Sequence, residues 1–261
     1  MPFAQIAGNR LHYQLEGAAE APVLVLSNSI GIGLEMWAPQ VQNLAPRLRV
    51  LRYDTRGHGA STSDQRATSI NDLSDDVAAL LDHLDIGSAH FCGLSLGGLT
   101  GQSFALRHPQ RLQRLVLCNT SARIGSREGW SKRIDQVRNV GLARLATTVV
   151  PHIWLRPEWA LAHPASCQVM VDLVGRSDLQ GYIDCCQILR ETDLSRCIPA
   201  IRARTWVISG RHDLAATVEQ GQALQQGIAG AHFSEFDCAH LVNWECTSAF
   251  NEQLLAFLSA P

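Results

Sequence analysis

The sequence predicts an α/β fold, a mostly parallel twisted sheet flanked by helices, and three observations carry that prediction. Short apolar runs alternate with stretches of helical period, first up to about residue 123 and again from residue 205 to the end. The runs are apolar throughout, as expected for strands buried on both faces. The 261 residues, 46% of them hydrophobic, are enough to build one large core without disulfide staples.

The elements follow in order. Arg10 to Leu15 alternate loosely as a strand, and Val23-Leu24-Val25-Leu26 is an apolar strand ending in the Gly-rich stretch Ser27 to Gly33. Arg49 to Tyr53 form the next strand, closed by the turn Asp54-Thr55-Arg56-Gly57-His58-Gly59. From Ile70 to Leu84, Leu73, Val77, Leu80, Leu81 and Leu84 recur at helical spacing. Ala89 to Cys92 is a strand, Leu96 to His108 a helix stopped before Pro109, and Leu115 to Cys118 another strand. Thr205 to Ser209 and Ala231 to Phe236 supply two more strands, each followed by a helical stretch, the last from Trp244 to Leu258. Between Ile124 and Arg204 the alternation stops and helical character takes over. The expected organisation is therefore a core of residues 1–123 and 205–261 with a helical cap, 124–204, inserted between strands over the C-terminal edge of the sheet.

Composition narrows the function. Charged residues make up 18% and the formal net charge is −2, which argues against a polyanion-binding protein; no nucleic-acid partner is expected. No apolar run approaches the 18 or more residues of a membrane span. The start, Met1-Pro2-Phe3-Ala4-Gln5, lacks the basic-then-apolar pattern of a secretory signal, so a cytoplasmic protein is expected. The eight cysteines are irregularly spaced and contain no C-x-x-C pair; neither a zinc site nor a redox motif is expected, and most read as buried packing thiols.

The strongest chemical signal is Gly93-Leu94-Ser95-Leu96-Gly97, a G-x-S-x-G sequence between a strand and a helix. Small flanking residues allow a sharp strand-to-helix turn that places the Ser95 hydroxyl at its tip, with the helix N-terminus behind it. Serine needs a base, and the base needs an orienter. With this motif the partners follow along the chain as acid, then histidine. Asp213 lies just past a strand and the turn glycine Gly210, and His240 just past the next strand, so both fall at the same sheet edge as Ser95. His240 is the expected base and Asp213 its orienter. Asp237 is the rival acid. His212 and His58 read as loop or structural residues, and His83, His90 and His108 as face residues without a partner in view.

These residues identify the chain as similar to the α/β-hydrolases over nearly its whole length, through the Ser95 turn, Asp54 to Gly59 with Ser61, Gly210-x-x-Asp213 and His240. More narrowly it resembles the 3-oxoadipate enol-lactonases of the β-ketoadipate pathway of aromatic catabolism. Leu51 to Gly59, Phe91 to Ser95, Leu117 to Gly125 and Leu26-Ser27-Asn28-Ser29 carry that resemblance, the last departing from the His-Gly pair usual in the wider superfamily. The resemblance implies an oxyanion hole from the backbone N–H groups of Ile30 and Leu96. It implies hydrolysis of a small anionic lactone through an acyl-enzyme, with no metal or organic cofactor. A carboxylesterase, a perhydrolase, a carbon–carbon bond hydrolase, or a binding module with a broken triad are the alternatives.

The inserted segment is locally basic. Arg123, Arg127, Lys132, Arg133, Arg138, Arg144 and Arg156 are opposed only by Glu128 and Asp135. Trp130 and Arg133 are three apart and share a helix face, a pairing suited to a small, partly apolar carboxylate. Most of the other arginines read as a solvated face. The stretch Arg123 to Ser126 followed by Trp130 and Arg133 is also similar to the lactonase cap.

Overall fold

The computed structural model describes residues 2–260. The chain opens with a hairpin of β1 (Phe3–Ile6) and β2 (Asn9–Glu16). Its two turn residues, Ala7 and Gly8, both have positive φ, 48° and 77°, the geometry whose twist matches that of the flanking strands. β1 is four mixed residues long, too short to register as a pattern in the sequence. β3 (Val23–Ser27) is followed by a 3₁₀ turn at Leu34–Trp37 and by α1 (Ala38–Leu44). β4 (Arg49–Tyr53), α2 (Ile70–His83), β5 (Ala89–Leu94), α3 (Leu96–Arg107) and β6 (Leu112–Cys118) complete the first part of the chain. α2 starts at a capping box in which the Ser69 hydroxyl accepts from the Asp72 N–H and the Asp72 carboxylate from the Ser69 N–H.

Four helices then stand between β6 and the next strand: α4 (Arg127–Val149), α5 (Pro157–Ala162), α6 (Pro164–Gly175) and α7 (Leu179–Glu191). α4 is interrupted at Gly141, whose φ of 77° and ψ of 162° are not helical, and runs into a π turn at Val150–Trp154. The chain returns through β7 (Arg204–Gly210), α8 (Val218–Gly227), β8 (His232–Phe236), α9 (Val242–Glu245) and α10 (Thr247–Ser259). The single C-terminal helix expected from Trp244 onward is therefore two pieces. Cys246, at φ −122° and ψ 36°, breaks the helix between them.

All eight strands form one sheet in the order β1-β2-β4-β3-β5-β6-β7-β8. β1, β2 and β4 pair antiparallel; from β4 to β8 every pairing is parallel. Side chains along each central strand alternate between two cores. Leu24, Leu26, Cys92 and Val116 face α1 and α10, where Leu44, Phe250 and Leu254 pack. Val23, Val25, Phe91 and Leu115 face α2, α3 and α8, where Leu80, Phe104 and Leu224 pack. Each fully buried Leu, Val or Phe contributes about 1.5–3 kcal/mol, which is why a sheet covered on both faces needs no cross-links. All eight cysteines are free thiols and five are buried; the Sγ atoms of Cys92 and Cys118 lie 3.8 Å apart, a thiol–thiol hydrogen bond and no disulfide. No helix is long and apolar enough to cross a membrane among the described residues.

The inserted helices meet the core at close backbone approaches. Gly57, at φ 73° in the turn after β4, lies under the first turn of α7, where Gly181 has no room for a side chain: a Cβ there would strike the Gly57 carbonyl. Gly181→Ala should lower the unfolding free energy by roughly 1–3 kcal/mol, read as a lower melting temperature in calorimetry, because backbone on both sides must move. An unchanged melting temperature would mean that this contact is not tight in solution.

Candidate active site

β5 ends in the turn that holds Ser95. The residue sits at φ 58° and ψ −115°, a strained conformation for a residue with a side chain. Its neighbours are glycines for steric reasons. A Cβ at Gly93 would collide with the Gly97 carbonyl, and one at Gly97 with the Ser27 carbonyl. The turn is also fixed by hydrogen bonds: Ser95 N–H donates to Cys118 O at 3.0 Å, and the Thr120 hydroxyl to Ser95 O at 2.8 Å. The Ser95 hydroxyl itself makes no hydrogen bond among the described residues.

The tight contact of Gly97 with Ser27 also draws α3 against the loop after β3. Ile30 and Leu96 are both buried, and neither N–H has a partner among the described residues, so the loop and the helix N-terminus offer two free donors beside Ser95. The loop is held by Asn28, whose side chain donates to Tyr53 O at 2.7 Å, and by the Leu34 N–H, which donates to Asp54 Oδ1 at 2.6 Å. Asn28 thus supports the loop from inside the sheet where the superfamily has its His-Gly pair.

His240 and Asp213 come together from two loops at the same sheet edge. His240 Nδ1 lies 2.8 Å from Asp213 Oδ2, and both side chains are essentially without solvent exposure. The same Oδ2 accepts from Asn119 Nδ2 at 3.0 Å, while Oδ1 accepts from the N–H groups of Ala215 and Ala216. With its lone pairs filled by donors, the carboxylate is held in one orientation and presents one oxygen to the imidazole. Asp237 is elsewhere: it is exposed and binds His212 at 3.0 Å and Arg156 at 2.9 Å. His58 is buried, with Nδ1 against Arg56 O, and burial pushes its pKa down. His108 does have a partner, Asp75 at 2.8 Å, so it is not the unpaired face residue the sequence suggested.

Ser95, His240 and Ile30 open into a cavity of about 290 Å³ whose far wall comes from the inserted helices, including Trp130, Arg133, Trp154 and Tyr182. Trp130 and Arg133, paired by sequence spacing, do line the same space. The Trp130 N–H, however, donates to Ile124 O at 2.6 Å, so its ring offers the cavity an apolar face and no free donor. Arg133 makes no ion pair among the described residues, whereas Arg123, Arg127 and Arg156 pair with Asp193, Glu191 and Asp237 with Glu245. Of the seven basic side chains in that stretch, Arg133 alone lines the cavity. Burial pushes the Tyr182 phenol above its usual range, against the opposing effect of the Arg133 guanidinium hydrogen-bonded to it. No group of His, Cys, Asp and Glu side chains suited to a metal ion occurs among the described residues.

Asn119 is the residue that sequence reasoning missed. It follows β6 at φ 46°, and its amide nitrogen bridges Asp213 Oδ2 and, at 3.1 Å, Ala239 O, tying the acid loop to the histidine loop. Both partners are acceptors, which fixes the amide orientation. The signal available was an asparagine, tolerant of positive φ, immediately after a strand that ends beside Ser95. Asn119→Ala should slow labelling of Ser95 by a fluorophosphonate about tenfold, since a small misplacement of a reacting group has that scale of effect. Labelling at the normal rate would show that Ala215 and Ala216 suffice to hold Asp213.

The sequence of residues 22–154 matches the alpha/beta hydrolase fold family. Over 248 residues the chain is 36% identical to 3-oxoadipate enol-lactonase 2 of Acinetobacter baylyi, covering 95% of this chain and 92% of that protein. The crystal structure of the enol-lactonase from Burkholderia xenovorans superposes with a TM-score of 0.96 at 44% identity, covering 99% of this chain and 100% of that one. A hydrolase structure from Pseudomonas aeruginosa superposes at 0.95 with 38% identity, over 99% and 98% of the two chains. Fold, parallel pairing and sequence agree: this chain belongs to the alpha/beta hydrolase fold family.

Proposed function

We propose that the protein is a serine hydrolase that opens 3-oxoadipate enol-lactone to 3-oxoadipate, with Ser95 as nucleophile, His240 as general base and Asp213 as its orienter. The observation that carries this is the meeting, in one cavity, of a strained Ser95 turn, an Asp213-bound imidazole and a single cation without a carboxylate partner, Arg133. The enol-lactonase relatives support the choice of substrate. In this scheme residues 124–204 act as a cap over a core made of 1–123 and 205–261, and eight unlinked thiols suit a reducing cytoplasm.

The reaction follows from the positions. His240 takes the Ser95 proton as Ser95 Oγ bonds to the lactone carbonyl carbon. The oxyanion is held by the N–H groups of Ile30 and Leu96, each contributing about 3–4 kcal/mol to the transition state. The ring C–O bond then breaks and the enol oxygen leaves, with a proton from His240 available to it. An enolate leaves more readily than an alkoxide, so this step needs little proton assistance. Water gives a proton to His240, adds to the acyl carbon and displaces Ser95 Oγ, which recovers its proton. The released enol tautomerises to the oxo acid. Arg133 binds the substrate's side-chain carboxylate and the Trp130 ring packs on the lactone, so both act before bond breaking. No step requires a metal or an organic cofactor.

The test compares turnover of the enol-lactone with that of a neutral short-chain ester by the wild-type protein and by Ser95→Ala. Faster turnover of the lactone, lost in Ser95→Ala, is expected; preference for the neutral ester would assign a carboxylesterase instead. Arg133→Ala should raise KM for the lactone roughly 10- to 100-fold, the scale of a lost hydrogen bond to a charged group, with kcat little changed. KM for the neutral ester should not move. An equal effect on both substrates would remove the carboxylate from Arg133.

A further inference from the structure

The loop that carries His240 has no regular structure between β8 and α9, yet none of its central N–H groups is idle. The N–H groups of His240 and Leu241 both donate to Trp154 O, at 3.1 and 3.0 Å. The preceding one, Ala239 N–H, donates to Glu245 Oε1 at 2.8 Å. Glu245 has no side-chain exposure, and its other oxygen is bound by Arg156 Nε at 2.9 Å, while Arg156 Nη1 reaches Asp237 Oδ2 at 2.9 Å. Both Trp154 and Arg156 belong to the inserted segment, Trp154 as the last residue of its π turn and Arg156 as the residue before α5. The insertion therefore grips the loop on both sides of the imidazole, and the Trp154 and His240 rings lie 6.1 Å apart.

We propose that Arg156, acting through Glu245, is a positioning residue for His240. This rests on the assignment of His240 as the base. A carboxylate this deeply buried needs a cation to stay charged and in place, and Arg156 supplies it in a planar, directional contact. Glu245 so held fixes the Ala239 N–H, and through it the backbone from which the imidazole projects. In the sequence Arg156 is one of the arginines of a basic run, most of which read as a solvated face. Its two carboxylate partners and its absence from the cavity lining direct it to the loop instead.

Two double variants separate positioning from packing. Arg156→Met/Glu245→Met removes the ion pair and the acceptor for Ala239 N–H, whereas Arg156→Met/Glu245→Gln removes the charges but leaves an amide oxygen in reach. Melting temperatures, kcat and KM for lactone opening are measured on both. The Met/Met variant should lose about tenfold or more in kcat with KM within about threefold, and the Met/Gln variant should recover most of that loss. Equal kcat in the two variants, or a change confined to KM, overturns the proposal. Where a double variant does not fold, Arg156→Lys carries the same readout: a fall in kcat at unchanged KM supports positioning, and a change in KM alone, or none, overturns it. Wild-type labelling of Ser95 by a fluorophosphonate checks the underlying mechanism separately. Its absence would sink both, while normal labelling with equal variants sinks only the role of Arg156.

Discussion

The backbone contact between Gly97 and the end of β3 is the constraint on which the site depends. With no side chain at Gly93 or Gly97, β5 can reverse into α3 within one residue, and that residue, Ser95, takes the strain. The same contact brings the first turn of the helix against the loop bearing Ile30, so a strained hydroxyl and two unpaired N–H groups arise from one packing event. The strain persists because the surroundings over-determine it: the Ser95 N–H and carbonyl are both taken up by β6 and the residues just after it, through Cys118 and Thr120.

The segment after β6 supports the His240 loop as well as Ser95. Cys118 and Thr120 hold Ser95, and Asn119 between them holds Asp213 and Ala239. Three consecutive residues at a strand end thus touch all three loops of the proposed triad. The central strands of a parallel sheet present their C-terminal ends side by side, and ligand sites of open α/β sheets lie at that edge. Here the edge is more than a location. Its backbone and side-chain donors hold Ser95, Asp213 and the His240 loop in place.

Charge in the inserted helices is distributed by pairing. A basic run looks like a uniform field in the sequence, but folding neutralises Arg123, Arg127 and Arg156 with carboxylates and leaves Arg133 facing the cavity. One cation without a carboxylate partner on an otherwise largely apolar wall is a more selective device than a cluster, because it offers an anion one place to bind. Arg156, meanwhile, uses its charge on Asp237 and Glu245 beside the His240 loop, so the insertion both shapes the cavity and braces that loop.

By itself the sequence determined the alternation of strands and helices, the inserted segment, and Ser95, Asp213 and His240 as candidates. Those features are local: an apolar run, a helical period or a turn with required glycines leaves its mark within a few neighbouring residues. β1 escaped because four mixed residues carry too little pattern, and the break at Cys246 because no glycine or proline marks it. Only the tertiary structure decided that Asn119 meets Asp213, that Arg133 lines the cavity without a carboxylate partner while Arg156 is ion-paired away from it, and that the Trp130 N–H is already taken. The contacts of Asn119 with Asp213 and of Arg156 with Glu245 join residues ninety-four and eighty-nine apart, and even that of Trp130 with Ile124, six apart, depends on how the turn before α4 folds. Residue types and spacing state which groups a chain can offer, but the packing of the sheet and insertion settles which of them remain free.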